Sequence, residues 1–321
     1  MSIELIIIGL GNHTKNKIIP ILKNLSIPIK AIITSTKIPH YKGIKIYKDI
    51  HSIKDKKTIT HCIISTTPSM QIKYIKEAAL MNVKTFVEKP AFISEEDLNS
   101  VNSFFNTGFS LTEGMMYRFG AGYNYFYSNF SQKKDRNYEL SLNFILPNDN
   151  GIIFNTFRSD INIKNSIIYD MGPYIFDLLW TVNIVDYQIS NIKIEQFENK
   201  LFKRLKFTLK LNNNNFSMKI KIDIGYGSSY INELNFNSKD NQFNVSPFFW
   251  GRSGKINIKE VKANKDSLIE IDTANALSEM LFEWFHSNKE NKLMDLQSFN
   301  RYKFVTSQLG ILEREIYKNV K

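Results

Sequence analysis

One short segment, Gly9-Leu10-Gly11-Asn12-His13-Thr14, constrains the fold of this chain more than any other. It follows the apolar, β-branched run Glu4–Ile8, which predicts a buried strand, and precedes residues 13–25, whose apolar spacing predicts a helix. Glycines between a strand and a helix permit a tight turn and a close approach of the backbone to a pyrophosphate. The segment therefore predicts a dinucleotide site formed by Gly9, Gly11, Asn12, His13 and Thr14, with Thr14 standing where a third glycine or an alanine is usual.

Apolar runs and helical patterns continue to alternate through the first 120 residues. Further strands are predicted at 30–34, 61–65 and 83–87, and helix starts are predicted at Thr67-Pro68 and at Ser94. Strands separated by helices indicate βαβ units and a parallel sheet. Residues 1–120 are therefore predicted to form a Rossmann domain of the α/β class.

The second half of the chain has a different pattern. Residues 138–146, 203–211 and 216–224 alternate between apolar and polar side chains, and residues 187–198, 229–238 and 254–262 look similar. Long alternating strands predict an open, mostly antiparallel sheet with one face towards solvent. Helices are predicted at about 119–130, 166–183, 273–287 and 296–319. Residues 121–321 are therefore predicted to form an α+β domain for substrate binding and oligomerisation.

Composition excludes several classes of protein. The net charge is +11, but only about seven of the 42 basic residues are arginine, the residue that base and phosphate recognition favours. We therefore expect a lysine-rich solvated surface and no nucleic-acid partner. One cysteine and five histidines make a metal site unexpected. No apolar run approaches the roughly 20 residues of a membrane span, and Met1–Leu5 carries no basic leader, so a cytoplasmic protein is expected.

The residues after the second strand predict the kind of dinucleotide. An acid at this position would bind the ribose 2′-hydroxyl of NAD(H). The chain instead has Thr34-Ser35-Thr36-Lys37, whose hydroxyls and cation suit a 2′-phosphate. The sequence therefore favours NADP(H) over NAD(H), with Ser35, Thr36 and Lys37 as predicted cofactor contacts; an ordinary polar loop is the alternative.

Three further motifs follow in order: Glu88-Lys89-Pro90 at the end of a predicted strand, Glu113-Gly114-Met115-Met116-Tyr117-Arg118-Phe119, and Asp170-Met171-Gly172-Pro173-Tyr174-Ile175-Phe176-Asp177. With the glycine loop, they make the whole chain resemble the glucose–fructose oxidoreductase / inositol dehydrogenase (Gfo/Idh/MocA) family. The resemblance implies a Rossmann domain followed by an open-sheet domain. It also implies hydride transfer between a nicotinamide and a sugar, a cyclitol or a related carbinol.

The resemblance implies roles for the residues at two of the predicted strand ends. Lys89 matches a family lysine beside the nicotinamide and the substrate hydroxyl, where an ammonium can stabilise a developing alkoxide. Glu88 would lie at the cofactor beside it, and the Lys89–Pro90 bond is often cis in the family. The loop after the 61–65 strand packs against ribose and nicotinamide in the family, which makes Thr66, Thr67 and Pro68 predicted cofactor contacts.

The third motif would carry the acid–base chemistry. Many members have a histidine where this chain has Tyr174, while others resemble it in having tyrosine. Asp170, Tyr174 and Asp177 would share one face of a helix. We expect Tyr174 to donate a proton to a carbonyl oxygen while Lys89 polarises that oxygen and lowers the pKa of the phenol. Asp170 would orient Lys89 or a substrate hydroxyl; a buried tyrosine–aspartate network is the alternative.

The predicted substrate-binding residues are Lys89, Arg118, Arg158, Asp170, Tyr174 and Asp177. Arg158 matches a family position near the substrate and would bind an anionic group, although Arg118 and Arg158 could equally form ion pairs at a domain interface. The chain departs from the family at Lys164-Asn165-Ser166-Ile167, where a glycine-rich run is common. This departure puts the local backbone in question.

Together these features predict an NAD(P)(H)-dependent oxidoreductase acting on CH–OH groups. The expected substrate is a small carbohydrate-like alcohol or ketone, with a sugar nucleotide or a surface-polysaccharide intermediate suggested by analogy. The alternatives are a dehydrogenase of a non-sugar diol or an imine, and a dinucleotide-binding sensor or scaffold without turnover. Family members often assemble through the open sheet, so a homodimer or homotetramer is expected.

Overall fold

The computed structural model describes residues 3–35, 40–131, 137–147, 166–196, 202–213, 216–262, 265–286 and 297–320. Within it the chain divides into two compact units. The first consists of Met1–Gly114 and Leu281–Lys303, and the second consists of Met115–Met280 and Phe304–Lys321.

The first unit contains a seven-stranded sheet. Its strands are β1 (Leu5–Ile8), β2 (Ile29–Ile33), β3 (His40–Tyr41), β4 (Ile44–Tyr47), β5 (His61–Ile64), β6 (Lys84–Val87) and β7 (Leu111–Glu113). They lie in the order β3-β4-β2-β1-β5-β6-β7, and every neighbouring pair is parallel except β3 and β4. The predicted parallel sheet is confirmed, with the fully buried β1 at its centre.

Helices connect most of these strands. A π-helical turn (Thr14–Ile18) continues as α1 (Ile19–Asn24), and α2 (Pro68–Leu80), α3 (Glu95–Asn99) and α4 (Asn102–Asn106) follow, with short 3₁₀ turns at Ile50–Ser52 and Lys56–Thr58. Proline fits the first position of α2 because the N–H it lacks would have no partner within the helix. At α3, the Ser94 side chain accepts the Asp97 N–H at 3.1 Å, as its sequence position predicts.

The second unit contains an eight-stranded sheet. Its strands are β8 (Tyr138–Pro147), β9 (Gln188–Gln196), β10 (Phe202–Asn213), β11 (Phe216–Gly227), β12 (Ile231–Ser238), β13 (Asn241–Ser246), β14 (Gly254–Lys262) and β15 (Lys265–Thr273). They lie in the order β15-β14-β13-β12-β8-β11-β10-β9. All neighbours are antiparallel except β8 and β11, which are parallel. The predicted mostly antiparallel sheet is confirmed.

The remaining helices are α5 (Ala121–Ser131), α6 (Ile167–Thr181), α7 (Ala276–His286) and α8 (Phe299–Val320), and a 3₁₀ turn at Met116–Phe119 precedes α5. Helix α6 packs against β10 and β11. Their inward positions are apolar and buried, as at Leu205, Phe207, Ile220 and Ile222. Alternate positions carry charge instead: Arg204 and Asp223 pair at 2.7 Å, so one face of the sheet is polar.

The division into units differs from the predicted domains 1–120 and 121–321 in two respects. The first break falls after Gly114, and residues 281–303 return to the first unit. Strands β3, β4, β7, β13 and β15 were not predicted, because their short or weakly alternating sequences give no clear period. Among the described residues, no helix is both long and apolar enough to cross a membrane.

Candidate functional site

The glycine loop has the backbone that a dinucleotide site requires. Gly9 adopts φ +103°, and a Cβ on it would lie 2.1 Å from the Ser65 carbonyl oxygen. Only glycine fits there, because the loop crosses directly over the end of β5. At Gly11, by contrast, a Cβ would meet nothing within 4 Å. The backbone of Gly11 therefore borders open space of the kind that a bound pyrophosphate fills, so the residues present fit a dinucleotide.

A helix starts directly after this loop. The Lys15 N–H donates to the Gly11 carbonyl at 3.0 Å, which makes Asn12, His13 and Thr14 the first residues of the helix. The N–H groups of these three residues come before Lys15, which makes the first hydrogen bond of the helix, so they are available to an anion. The Thr14 side chain is fully buried, and its hydroxyl has no hydrogen-bond partner among the described residues. Any contact of Thr14 with a cofactor would therefore be made by its backbone.

His13 forms a close pair with the first residue of the Glu-Lys-Pro motif. Its Nε2 lies 3.0 Å from Glu88 Oε1, and the His13 side chain is 41% exposed. The Glu88 carboxylate raises the pKa of His13, although burial and the Lys89 and Lys17 charges oppose the rise. Burial favours the protonated form of Glu88, but the His13 charge and hydrogen bond outweigh it and lower the pKa of Glu88. The pair places an imidazole with a raised pKa beside the start of the helix.

The other predicted cofactor contacts in the first unit follow β2 and β5. Ser35, after β2, is exposed, whereas Thr36 and Lys37 lie outside the described residues, so the predicted 2′-phosphate contacts stay a prediction. After β5, the Ser65 N–H donates to the Ile8 carbonyl at 2.7 Å. Thr66 and Thr67 are partly exposed and Pro68 is buried at the start of α2.

The segment Glu88–Ala91 follows β6 at the same edge of the sheet. The Lys89–Pro90 bond is cis, as the resemblance implies. The Glu88 N–H donates to the Ile64 carbonyl at 2.9 Å, and the Ala91 N–H donates to Glu113 Oε1 at 2.6 Å. Lys89 is partly buried between these two fixed points. Parallel strands end at one edge, so the glycine loop, the threonine loop and Lys89 belong to one side of this sheet.

In the second unit, helix α6 carries Asp170, Tyr174 and Asp177 as predicted. The Ser166 side chain caps its start by accepting the Ile168 N–H at 3.3 Å, and Pro173 lies inside the helix. Asp170 lies in the first turn, where the helix dipole favours a carboxylate. The Tyr174 ring is 6% exposed. Aromatic rings surround it, with centroids at 5.7 Å (Tyr117), 6.0 Å (Phe144) and 5.5 Å (Phe249).

Asp177 and Arg118 form a bidentate ion pair. Arg118 Nε and Nη2 each donate to an Asp177 carboxylate oxygen at 2.7 Å, and the Tyr117 hydroxyl donates to Asp177 Oδ2 at 2.7 Å. Asp177 is 0% and Arg118 is 3% exposed. Burial and the nearby Asp177 charge raise the pKa of Tyr117 well above its usual range. Arg118 and Asp177, both predicted to bind substrate, therefore pair with each other. An ion pair was the alternative prediction for Arg118, but that prediction placed it at a domain interface. Both residues belong to the second unit. Arg158 and residues 164–165 lie outside the described residues.

Two pairs at the first unit's site were not predicted. One is His13 with Glu88, and the other is the buried pair of Glu113 Oε2 with Arg301 Nη1 at 2.7 Å. Glu113 was part of a recognised motif, but nothing local in the sequence signals its partner in the last helix. Within the described ranges, no group of three or more His, Cys, Asp or Glu side chains is arranged to hold a metal.

No protein-family model and no curated protein matches this sequence. Solved structures do match the fold. KijD10, a 3-ketoreductase from Actinomadura kijaniata solved with NADP and TDP-benzene, is 11% identical with a TM-score of 0.77, over 95% of this chain and 96% of that one.

Two further structures match over nearly all of both chains. YvaA from Bacillus subtilis is 14% identical with a TM-score of 0.70, over 97% of each chain. The dehydrogenase MviM from Clostridium difficile is 13% identical with a TM-score of 0.68, over 98% of this chain and all (100%) of that one. The chain therefore has the fold of these proteins, and the resemblance to the Gfo/Idh/MocA family is confirmed at the level of the fold.

Proposed function

We propose that this chain is an NAD(P)(H)-dependent oxidoreductase of the Gfo/Idh/MocA family that acts on a CH–OH group or the matching carbonyl. The observation that carries the proposal is the glycine loop, in which Gly9 is confined by Ser65 while Gly11 borders open space. Such a loop at the start of a helix suits a pyrophosphate. The shared fold with KijD10, solved with NADP, supports the same reading.

The substrate class that we propose is carbohydrate-like, with a sugar nucleotide as the first candidate. KijD10 is a 3-ketoreductase solved with TDP-benzene, and its solved forms include variants in which one lysine or one tyrosine is replaced. Those residue types are the ones that we place in the chemistry here, Lys89 and Tyr174. The alternatives of a non-sugar diol, an imine, or binding without turnover are outcomes of the test below.

A bound nicotinamide dinucleotide would supply or accept the hydride. For carbonyl reduction, we propose that the Lys89 ammonium donates a hydrogen bond to the substrate oxygen and stabilises the charge that develops on it. Tyr174 would pass its phenolic proton to the same oxygen, which completes the alcohol, and would recover a proton from solvent. The three aromatic rings around Tyr174 hold its ring in one orientation, which favours directed proton transfer.

Asp170 is proposed to orient Lys89 or a substrate hydroxyl. We do not give Asp177 and Arg118 a place in this chemistry, because their charges are buried against each other in the second unit. Arg158 keeps its proposed role towards an anionic part of the substrate. The preference for NADP(H) over NAD(H) is also proposed, on the absence of an acid from Thr34-Ser35-Thr36-Lys37.

The test is an assay of NADPH oxidation and NADP reduction with purified protein, over nucleotide-linked and free keto sugars, diols and imines. We expect turnover with at least one carbohydrate-like substrate and its loss in Lys89→Met. Tight NADPH binding without turnover across the panel would favour the sensor or scaffold. Faster turnover of the non-sugar compounds would favour the diol or imine alternative. The proposed cytoplasmic homodimer or homotetramer is tested separately by fractionation and sedimentation.

A further inference from the structure

A buried ion pair lies directly behind the Lys89 segment in the first unit. Glu113, the last residue of β7, and Arg301, in the first turn of α8, are 2% and 0% exposed. Arg301 Nη1 lies 2.7 Å from Glu113 Oε2. The second carboxylate oxygen of Glu113 accepts the Ala91 N–H at 2.6 Å. One side chain thus links the C-terminal helix to the backbone two residues after Lys89.

The hydrogen bond from Ala91 to Glu113 holds the chain just beyond the end of β6, where the pairing between strands ends. Glu88 still donates its N–H to a strand carbonyl, that of Ile64, at 2.9 Å. Pro90 has no N–H to donate. The next backbone donor after Pro90 is Ala91, and its acceptor is Glu113 Oε1. Lys89 is therefore held between an anchor to the sheet on one side and an anchor to the Glu113 carboxylate on the other.

The segment that supplies Arg301 is itself fastened to β7. The Gln297 side chain donates to Thr112 Oγ1 at 2.9 Å, and the Tyr302 hydroxyl donates to the Leu111 carbonyl at 2.7 Å. Gly114, which follows Glu113, donates its N–H to the Val87 carbonyl at 2.8 Å. The backbone on each side of Glu113 is thus fixed, so its carboxylate has a defined position relative to Ala91.

We infer that Glu113 is a positioning residue for Lys89. The positive charge of Arg301 compensates the buried negative charge of Glu113, so that Glu113 can act as the acceptor of the Ala91 N–H. The inference rests on the proposed function, because Lys89 matters only if it meets the reacting oxygen. A carboxylate buried without a cation would be strongly unfavourable. With Arg301 in place, the carboxylate stays available as the acceptor that fixes the Lys89–Ala91 backbone.

Two double variants separate the acceptor from the charge. Glu113→Gln/Arg301→Met removes both charges but keeps an amide oxygen that can accept the Ala91 N–H. Glu113→Met/Arg301→Met removes both charges and the acceptor. Each variant removes both members of the Glu113–Arg301 pair together, and uncharged replacements of similar volume are often well tolerated. Tyr302→Phe is the matched control, because it breaks one bond between the same segment and β7 without touching the Ala91 anchor.

The two double variants should differ in kcat and in hydrogen exchange at Ala91. With Glu113→Gln/Arg301→Met and with Tyr302→Phe, kcat should stay close to that of the unmodified protein. With Glu113→Met/Arg301→Met, kcat should fall about ten- to a hundred-fold while the Kd for NADPH changes little, because the catalytic ammonium is misplaced. Hydrogen exchange at the Ala91 N–H should accelerate only in the variant without the acceptor.

Equal kcat values and equal rates of hydrogen exchange at Ala91 in the two double variants would overturn the inference. Glu113→Leu/Arg301→Met serves as a second variant without the acceptor. If both variants without the acceptor fail to fold, the inference is also overturned, because the contact is then needed for folding and not for positioning. The exchange readout does not depend on turnover. If the unmodified protein shows no activity, the proposed function fails, while Ala91 exchange still reports whether Glu113 anchors the segment.

Discussion

His13 Nε2 lies 3.0 Å from Glu88 Oε1, so the glycine loop and the Glu-Lys-Pro segment are joined by an ion pair. The pair raises the pKa of His13 and lowers that of Glu88. A raised histidine pKa contributes stability that is present at low pH and is lost as the pH rises through the folded-state value. A lowered glutamate pKa contributes stability that is lost as the pH falls through its own folded-state value. The pair is therefore complete only between these two limits.

This relationship predicts the pH dependence of dinucleotide binding. As the pH rises through the raised pKa of His13, the loop loses a positive charge, and the Kd for NADPH should rise by about three-fold, the scale of an exposed charge pair. The Lys89 and Lys17 charges also act on His13, and both oppose the rise in its pKa. Fluorescence titrations across the range would show the rise. His13→Asn should remove it, and a rise of the same size in His13→Asn would contradict the assignment.

Gly9→Ala should destabilise the first unit. The new Cβ would lie 2.1 Å from the Ser65 carbonyl oxygen, at a φ of +103° that alanine rarely adopts. We expect a loss of about 2 kcal/mol or more in the free energy of unfolding, from backbone strain and the forced shift of the loop. Urea unfolding would measure it. Gly43→Ala is the matched control, because Gly43 also has positive φ (+82°) but its Cβ would meet nothing within 4 Å, and an equal loss there would contradict the steric account.

Tyr174→Phe should abolish most turnover. The substitution keeps the ring among Tyr117, Phe144 and Phe249 and removes only the hydroxyl that we propose as the proton donor. We expect kcat to fall about 10²- to 10⁴-fold, the range for the loss of a general acid, with NADPH affinity unchanged. Steady-state kinetics and a binding titration would measure the two quantities. Near-normal kcat would rule out Tyr174 as the acid.

The Arg118–Asp177 pair should matter for folding. Asp177→Asn removes the buried carboxylate charge to which Arg118 Nε and Nη2 donate, and Tyr117 loses a charged acceptor. We expect a loss of about 3–5 kcal/mol in the free energy of unfolding, the usual effect of breaking a buried ion pair. Asp223→Asn is the matched control, because it breaks the bidentate pair with Arg204 on the polar face of the sheet, where both side chains are partly exposed. We expect it to lower the free energy of unfolding by about 1 kcal/mol. Similar losses in both variants would contradict the assignment.

The features predicted well from the sequence are those that local residues determine. Gly9 and Gly11 lie between an apolar run and a helical pattern, so the loop between β1 and the first helix could be predicted. Thr67-Pro68 similarly predicted the start of α2, because the preference of proline for the first helical position acts within one turn. The alternating strands of the second unit could be predicted because one face is buried and the other is wet.

The features that the sequence did not predict depend on distant contacts. Glu113 and Arg301 meet only because residues 281–303 return to the first unit. Arg118 was singled out as a rare arginine, but its role depended on whether a carboxylate would reach it, and Asp177 of α6 does. Neither pairing leaves a local pattern, because the two partners of each pair lie far apart in the sequence. The short strand β7 was missed because its three residues give no clear period.

The central claim, that the Gly9–Thr14 loop binds a nicotinamide dinucleotide, is tested most directly by titrating NADPH into the unmodified protein and Gly11→Ala. A Cβ on Gly11 meets no protein atom within 4 Å, so the variant should fold with a free energy of unfolding within about 0.5 kcal/mol of the unmodified protein. The added methyl group would occupy the space that we assign to the pyrophosphate. We predict binding to the unmodified protein and at least about ten-fold weaker binding to Gly11→Ala, with each lost factor of ten corresponding to about 1.4 kcal/mol. No binding to the unmodified protein, or equal binding to both, would contradict the account.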